Sequence, residues 1–430
     1  MTTDPRPRAG EPGPAVTTDV APTDSPVPPA RKAEAAFSWQ AFYSTYLPAL
    51  ILALGTGVAL PAVPALASSF DVGFGTASGV VTAFLVGNLA GTVPAGWLID
   101  RFGRRAVMIL GPLLTAATAF LVVVAHTFPE LLVYRFVGGA AAQLWLMGRL
   151  AAISHGASAN QRGRQVSWMF GMDNTGRLAG PLVGGFLAAH WGLRAPFIAF
   201  GVLALLALLP TFFFAEDTPR RGRTPTAKAS VPTLSFREIV FPRLVFFGVA
   251  LFAGLTRGPV QADLLHLYAA FAYDLGPQQI GYLATGAALI TLPIGFIAGW
   301  MMDRFGRKRS MVPGFLGVTL AMSALAVTAF AHLTVIWYVS LFLVAIAAQA
   351  LTGGSIQTVG ADVAPAEARG RFLGLWRFTG QSGAVISPII FAFLADQLDY
   401  GSSFVFTAVS AAVVAFLLIR HVPETRTAAD

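Results

Sequence analysis

Cysteine is absent from this 430-residue chain, and charged residues make up only 12% of it, against 55% apolar residues. Without cysteine the chain can form no disulfide, no thiolate metal site and no cysteine nucleophile. So few charges cannot cover a water-soluble surface of this size, since soluble domains carry about 25% charged residues. Most of the surface is therefore expected to face lipid.

Enzymatic signatures are also missing. None of the HExxH, GxSxG, Walker-loop and dinucleotide patterns occurs in the context that its chemistry needs. The histidines are scattered along the chain, mostly near the ends of apolar runs. The sequence therefore predicts no catalytic residue, no metal site, no cofactor and no enzymatic activity.

The apolar residues are gathered in runs of about twenty, the length that crosses ~30 Å of hydrocarbon as a helix. Six runs fill the first half of the chain, at 41–66, 77–99, 106–125, 130–153, 166–189 and 196–215. Six more follow at 244–270, 280–302, 311–331, 335–359, 372–394 and 404–419. The predicted fold is an all-α membrane protein with 12 transmembrane helices in two six-helix bundles.

Polar stretches divide the chain into five predicted parts. Residues 1–36 hold eight prolines, and we expect a disordered cytoplasmic tail there and neither a signal peptide nor a folded domain. The bundles at 37–215 and 242–421 are joined by a flexible cytoplasmic linker at 216–241. A second cytoplasmic tail follows at 422–430.

Basic residues mark every second connection between the predicted spans. These connections carry Arg101, Arg104, Arg105, Arg162, Arg164, Arg220, Arg221, Arg223, Lys228, Arg237, Arg243, Arg304, Arg307, Lys308, Arg309, Arg369 and Arg371. The alternate connections hold Arg194 alone, so the positive-inside rule places both termini in the cytoplasm of a cell membrane, of the bacterial inner-membrane type. Because the cations are spread over separate loops, the net charge of +8 indicates topology and not nucleic-acid binding.

Two sets of residues repeat at a nearly constant spacing. GWLIDRFGRR at Gly96 returns 203 residues later as GWMMDRFGRK at Gly299. At a spacing of 207, the series Gly163, Arg164, Gly176 and Pro181 returns as Gly370, Arg371, Gly383 and Pro388. Two similar halves related by an axis along the membrane normal, with a substrate site between them at mid-depth, are one known plan of secondary transporters.

With these motifs the chain, from about Phe37 to Arg426, resembles the major facilitator superfamily, and most of all its twelve-helix drug:proton antiporters. Both repeat loops match the family pattern GxLaDrxGrr, and GRLAGPLVGG at Gly176 fits GxxxGPxxGG, which is associated with exporters. LGTGVALPAVP at Leu54, with Pro61 and Pro64, is close to a motif of the first helix. Arg135, followed by Gly138 and Gly139, looks like the conserved arginine of helix four, with a shorter glycine spacing.

The resemblance implies alternating access by a monomer that carries a small-molecule substrate and protons across the lipid bilayer. It also suggests a gate in the repeat loops, where Asp100 would meet the N-terminus of helix eleven and Asp303 that of helix five. A carboxylate at such a helix end is worth ~0.3–1 kcal/mol. The gating residues are Asp100, Arg101, Gly103, Arg104, Asp303, Arg304, Gly306, Arg307 and Arg371. The alternative is that these loops only anchor turns and topology.

Small residues in the fifth span are explained either by helix packing or by a role in export. Gly176, Gly180, Gly184 and Gly185 form a stripe that lets helices approach closely, while Pro181 cannot donate a backbone hydrogen bond. Packing alone would explain the stripe, and the link to export comes from the family resemblance.

Ionisable residues within spans indicate the substrate, because each costs about 2.5–3.5 kcal/mol at a helix centre on insertion scales. The substrate-site candidates are Arg257, Arg177, Arg149 and Arg377, the amides Gln143, Asn174, Gln261 and Gln381, and, as apolar walls, Trp145 and Trp376. Asp173 and Arg177, four residues apart, can pair on one helix face. The excess of arginine favours an acidic or zwitterionic substrate. Alternatively, Arg149 and Arg377 reach the interface as snorkelling side chains.

Proton coupling needs a group that titrates inside the membrane, and Asp173 and Asp263 are the acids clearly within predicted spans. His266 can meet Asp263 at a spacing of three residues, and Arg135 completes the proton-coupling set. The first span contains no acid, unlike that of many proton-coupled relatives. Export of a drug-like or natural-product compound is the favoured function. Import of an organic acid or sugar-like metabolite stays open, because EDTPRR and VPETR resemble tails of such importers.

Overall fold

The computed structural model describes residues 39, 42–156, 159–215, 236–261, 263–353, 355–365 and 368–422. Across these ranges every regular element is a helix and no strand occurs. The predicted tails, apart from Val422, and residues 216–235 of the predicted linker lie outside the described residues. The rest of that linker forms a short helix at Phe236–Val240 and begins a 3-10 turn at Phe241–Arg243.

In the N-terminal half, a π-helical turn at Phe42–Tyr46 leads into the first helix. The helices are α1 (Leu47–Ala59), α2 (Ala62–Ser68), α3 (Phe74–Phe102), α4 (Arg104–Val123), α5 (Phe128–Gly156), α6 (Ala159–Trp191) and α7 (Ala195–Phe214). The C-terminal half consists of α8 (Phe236–Val240), α9 (Leu244–Gln261), α10 (Leu264–Tyr273), α11 (Pro277–Phe305), α12 (Arg307–Phe330), α13 (Val335–Leu351), α14 (Ser355–Val363), α15 (Arg369–Gln397) and α16 (Tyr400–His421).

Ten helical segments of the described chain are long and apolar enough to cross a membrane, and α10 and α13 are shorter apolar helices. The 33-residue α6 falls outside this set, because Asp173, Asn174 and Arg177 in its middle lower its average hydropathy. The predicted apolar runs thus correspond to helices that extend beyond them by several residues, as in α3 and α6.

Three predicted spans are interrupted where a single helix was expected. The first breaks at Leu60 and Pro61, between α1 and α2, and the tenth breaks after Thr352 and Gly353. In the seventh span, helix α9 passes through Gly258 and Pro259 and ends at Gln261. The chain then turns at Asp263, whose φ of 57° is left-handed. Broken helices at membrane depth often mark binding sites.

The repeat in sequence is also a repeat in packing. Gly176 of α6 faces α1, where an added Cβ would lie 2.5 Å from the carbonyl oxygen of Leu50 and 2.7 Å from the nitrogen of Leu54. Gly383 of α15 faces α9 in the same manner, since a Cβ there would overlap the carbonyl oxygen of Leu251. Glycine at both positions lets backbone approach backbone, so each half is tightly joined through one matching helix pair.

The two halves meet along two seams, α3 with α15 and α6 with α11. We call the end of the bundle that carries the loops 101–105 and 304–309 the basic end, and the other the opposite end. The short helix α10 contacts α2 and α3, which adds a third contact between the halves at the opposite end.

Candidate functional site: a cavity between the halves

One polar wall of the space between the halves is formed by α6. Its glycines at 176 and 180 pack on α1, and Gly185 packs on Pro277 and Gln278 of α11. At 100° per residue, Arg177 points between these two packed faces, toward the space between the halves. Arg177 and Asn174 are exposed, and no described carboxylate forms an ion pair with Arg177.

The facing wall belongs to α9 and α15. Arg257 of α9 donates a hydrogen bond from Nη2 to Oε1 of Gln381 on α15. Arg377 lies one turn before Gln381 on the same face and is exposed. Within the described residues no carboxylate pairs with Arg257 or Arg377. This wall therefore presents two guanidinium groups and one amide without a local counter-charge.

Asp173 does not pair with Arg177, contrary to the sequence prediction. It forms a bidentate ion pair with Arg149 of α5, with Nη1–Oδ1 and Nη2–Oδ2 distances of 2.9 and 3.0 Å. Arg149 is 4% exposed, and its guanidinium lies 5.1 Å from the ring centroid of Trp145. Arg149 therefore neither snorkels to the interface nor stands free in the cavity, because a carboxylate and an aromatic face hold it between α5 and α6.

Both tryptophans predicted as cavity walls are buried in packing. Trp376 is 2% exposed and stacks on Phe372 with ring centroids 6.0 Å apart. Trp145 is 5% exposed under Arg149, and Gln143 is also buried. These three predictions rested on depth along a helix, and depth does not fix which face a residue occupies. The side chain of Gln261 lies outside the described residues.

Asp263 lies at the break between α9 and α10, and His266 lies in the first turn of α10. Their side chains lie 4.0 Å apart, within the reach that their spacing predicts. His266 is buried, and neither of its ring nitrogens has a hydrogen-bond partner among the described residues. The charge of Asp263 also reaches Arg135 of the other half, which stacks over Phe84 at 4.8 Å. This group thus joins a carboxylate, an imidazole and a guanidinium across the two halves.

The opposite end is closed by contacts between the halves. Phe74 of α3 lies against Phe271 and Tyr400, with ring centroids 5.8 and 5.1 Å away. Gly75 donates its backbone N–H to Oδ1 of Asp396 at 2.9 Å. Along the other seam, a Cβ added at Gly281 would lie 2.5 Å from the carbonyl oxygen of Pro181.

The basic end is open along the same helix faces. Val93 lies five turns beyond Gly75 on the same face of α3, yet it is 80% exposed. Gly299 lies five turns beyond Gly281 on α11, and a Cβ there would meet nothing within 4 Å. Phe296, the repeat counterpart of Val93, is 77% exposed. The halves are therefore joined at one end and separated at the other, and the cavity opens toward the basic end.

Each DRFGR loop contains a tight turn between two helices. Gly103 and Gly306 have φ of 87° and 93°, a region that favours glycine, which explains this position of the motif. Arg104 donates to the carbonyl oxygen of Ala152, and Arg307 forms an ion pair with Asp362, each within its own half. Asp100 is exposed, with no hydrogen bond or ion pair to a described residue.

The gate contacts of the opposite end were missed by the sequence prediction. Phe74 and Asp396 lie just outside the predicted spans 77–99 and 372–394, so neither was considered among the residues in the membrane. The short polar stretch around them gave no signal, since an aromatic or a carboxylate at a helix end is common. Their role becomes visible only when α3 and α15 are seen side by side.

A helical membrane protein with a polar cavity between two matching halves has the construction of a secondary transporter. The Major Facilitator Superfamily model matches residues 45–262 and 264–430, and the chain belongs to this family. It is a transporter and not an enzyme, and a multi-pass protein of the bacterial cell membrane.

Similar proteins include two that are named for antibiotic resistance. The quinolone resistance protein NorA of Staphylococcus aureus (strain MSSA476) is 25% identical over 248 residues, which cover 57% of this chain and 62% of that protein, less than two thirds of its length. The tetracycline resistance protein, class B, of Escherichia coli is 24% identical over 353 residues, or 80% of this chain and 85% of that protein. A solved structure of a D-xylose-proton symporter has a TM-score of 0.73 at 21% identity, covers 89% of this chain and 98% of that chain, and shows the fold alone.

Proposed function

We propose that this protein exports a small drug-like or natural-product compound, anionic or zwitterionic, in exchange for protons by alternating access. The observation that carries the proposal is the cavity open at the basic end, with Arg177 on one wall and Arg257 and Arg377 on the other. The similarity to NorA and to the tetracycline resistance protein supports the outward direction.

We further propose 12 spans with both termini in the cytoplasm. This count takes α1 with α2, α9 with α10, and α13 with α14 as one crossing each. The basic end would then be the cytoplasmic end, as the positive-inside rule requires, and the cavity would be open to the cytoplasm. A cytoplasmic opening is the state in which an exporter loads its substrate.

Substrate recognition falls to the arginines that lack a local counter-charge. A guanidinium binds a carboxylate through two parallel hydrogen bonds, and such charge-assisted bonds are about twice as strong as neutral ones. Gln381 fixes one edge of Arg257 and leaves its other N–H groups for a ligand. Asn174, at the repeat counterpart of Gln381, would offer an amide from the facing wall. Arg149 is assigned a structural role, because Asp173 already neutralises it.

Proton coupling is assigned to Asp263 with His266, and Arg135 would sense its charge from the other half. Asp173 is the weaker candidate, since both of its carboxylate oxygens are engaged by the guanidinium of Arg149. Gating is assigned to both DRFGR loops, with Asp100 engaging the facing helix end when the basic end closes. Asp303, whose side chain lies outside the described residues, is assigned the same role in the second loop. In the present conformation Asp100 lies exposed, as an open gate would leave it.

Transport by purified protein in liposomes tests this function. Organic anions are first screened by thermal shift, since a ligand at ~100 times its dissociation constant adds about 2.7 kcal/mol of stability. A bound anion should then move against an imposed proton gradient, and loss of the gene should raise its level inside cells. Proton-driven uptake, with loss of growth on a metabolite, would instead establish the importer that EDTPRR and VPETR favour.

A further inference from the structure

The first turn of α3 is capped by a carboxylate from the other half of the protein. Helix α3 begins after Gly73, which has no side chain to satisfy the free N–H groups of the first turn. Asp396, in the last turn of α15, supplies the acceptor, with 2.9 Å between the nitrogen of Gly75 and its Oδ1. The C-terminal half therefore provides a cap that the N-terminal half lacks.

The local packing is fitted to this contact. A Cβ added at Gly75 would overlap the carboxylate of Asp396, so a larger residue at this position would have to displace the carboxylate from its hydrogen bond. The neighbouring Phe74 is 4% exposed and packs on rings of α10, α15 and α16. The cap thus lies at the edge of the aromatic cluster that closes the opposite end.

The same two helices carry the matching groups in reverse order at the basic end, where they are not in contact in this conformation. Because α3 and α15 run antiparallel, the last turn of α3, with Asp100, faces the end of the bundle where α15 begins at Arg369. Each helix therefore carries one carboxylate in its last turn, directed to the end where the other helix starts. A negative charge is favoured there by the positive helix N-terminus.

The seam between α6 and α11 has no equivalent at the opposite end. Residues 186–191, which end α6, contain no acid. The contact there is steric, with Gly281 of α11 against the backbone of Pro181. The electrostatic cap at the opposite end is therefore confined to one seam.

We infer that α3 and α15 form a two-position latch, in which Asp396 on the first turn of α3 holds the opposite end closed and Asp100 on the first turn of α15 holds the basic end closed. In this conformation Asp396 is engaged while the basic end is open: Val93 and Phe378, five turns from Gly75 and Asp396 on the same helix faces, are exposed. The Asp100 arm rests on the proposed gate, whereas the Asp396 arm rests on the observed hydrogen bond.

Distances between paired spin labels measure the latch in the full chain in lipid nanodiscs. The absence of cysteine allows labels at Phe102→Cys with Phe305→Cys for the basic end, and at Ser69→Cys with Leu398→Cys for the opposite end. Asp396→Asn should lower the ratio of basic-end-open to basic-end-closed molecules about two- to five-fold, the range for an exposed charge at a helix end. Asp100→Asn should raise the same ratio.

Asp399→Asn is the matched control. Asp399 lies three residues away and accepts from the backbone N–H of Ser402 at 2.7 Å, a cap within its own half. Its loss should leave the ratio unchanged. An unaltered ratio in Asp396→Asn, or an equal shift in Asp399→Asn, overturns the latch. A shift in Asp396→Asn with none in Asp100→Asn contradicts the proposed gate and leaves the cap of α3 standing.

Two further measurements do not depend on the asparagine variant being stable. Gly75→Ala, which displaces Asp396, should shift the ratio in the same direction as Asp396→Asn. In the Asp100→Asn variant, where the other arm is absent, raising the salt concentration should weaken this exposed cap and move both distance distributions the same way. If neither treatment moves the distributions, the inference is wrong.

Discussion

The pair of Arg149 and Asp173 illustrates how a buried charge can serve structure in a transport cavity. Removing one partner of such a pair leaves a buried charge without compensation, which costs about 3–5 kcal/mol. We therefore expect Asp173→Asn to lower the thermal stability of the purified protein clearly. Arg149→Met combined with Asp173→Leu should recover much of the loss, because no lone charge remains.

Fluorescence-detected unfolding of the single and the double variant beside the wild type checks this expectation. The competing possibility is that Asp173 carries the transported proton. In that case Asp173→Asn would keep its stability and lose pH-driven transport. Asp263→Asn provides the comparison, since we expect it to lose coupling while the pair of Arg149 and Asp173 stays intact.

Arg257 is the residue on which anion binding should depend most. Arg257→Gln removes a charge-assisted hydrogen bond worth about 1.5–3 kcal/mol, so affinity for an anionic ligand should fall ~10- to 150-fold. Arg257→Lys should lie between, because it keeps the charge and loses the planar fork. Equilibrium binding of the anion selected by thermal shift measures both.

Arg194→Gln is a suitable control for this series. Arg194 precedes α7 at the opposite end and donates to the carbonyl oxygen of Ala125, away from the cavity. Its affinity should equal that of the wild type. A neutral compound should bind Arg257→Gln as tightly as it binds the wild type. If anions also bind the two proteins equally tightly, the arginines do not select the substrate.

Helix α6 shows how glycine on one face of a helix sets the packing of a whole half. A Cβ at Gly184 would overlap the carbonyl oxygen of Val58, while a Cβ at Gly171 of the same helix would meet nothing within 4 Å. Gly184→Ala should destabilise the protein by about 1–3 kcal/mol through overpacking. Gly171→Ala should be neutral or stabilise by up to ~1 kcal/mol, because alanine is the better helix former.

Thermal unfolding of the two alanine variants measures this difference. Both variants make the same substitution in α6, so each serves as the control for the other. Equal effects at both positions would mean that helix propensity, and not contact with α1, governs the stripe. The stripe would then lose its role in joining the half together.

Elements were predicted better than their interruptions. Hydropathy depends on composition alone, and a run of about twenty apolar residues predicts a membrane-spanning helix. The predicted apolar runs therefore correspond to helices of the structure. A break of two or three residues, as at Leu60, Asp263 and Thr352, leaves the average hydropathy almost unchanged. The left-handed turn at Asp263 is one that aspartate tolerates, but no residue of the sequence required it there.

Side-chain partners were predicted least well. The pairing of Asp173 with Arg177 was predicted from their spacing along one helix. In the structure the planar guanidinium of Arg149, on α5, instead donates to both carboxylate oxygens of Asp173. Trp376 was placed by depth, and its actual position depends on the rotation of α15 against α9. Contacts of this kind depend on how two helices are rotated against each other, which a single sequence does not contain.

At the scale of the whole molecule, the opening at the basic end should be measurable by thiol chemistry. A water-soluble maleimide should react quickly with Val93→Cys and Phe296→Cys, which are exposed in the space between the halves. Ser78→Cys, a near-isosteric change at a position 2% exposed on α3, should react slowly. A bound anion that promotes closure should slow labelling of the first two.

In sealed vesicles an impermeant reagent should label Val93→Cys only from the cytoplasmic side. Labelling from the external side alone would reverse the proposed orientation of the bundle. Failure to label from either side would mean that these faces contact lipid and not water, because a thiol in hydrocarbon does not ionise.

The division of labour between the two faces of α6 and α15 has a consequence for how such a protein can change over generations. The glycine faces fix the fold through backbone contacts, while Arg177, Arg377 and Gln381 stand on other faces of the same helices. A new side chain at a cavity position would therefore alter the cargo without disturbing the joints of either bundle. Transporters with this arrangement can therefore acquire new substrates one substitution at a time while the packing of their helices is retained.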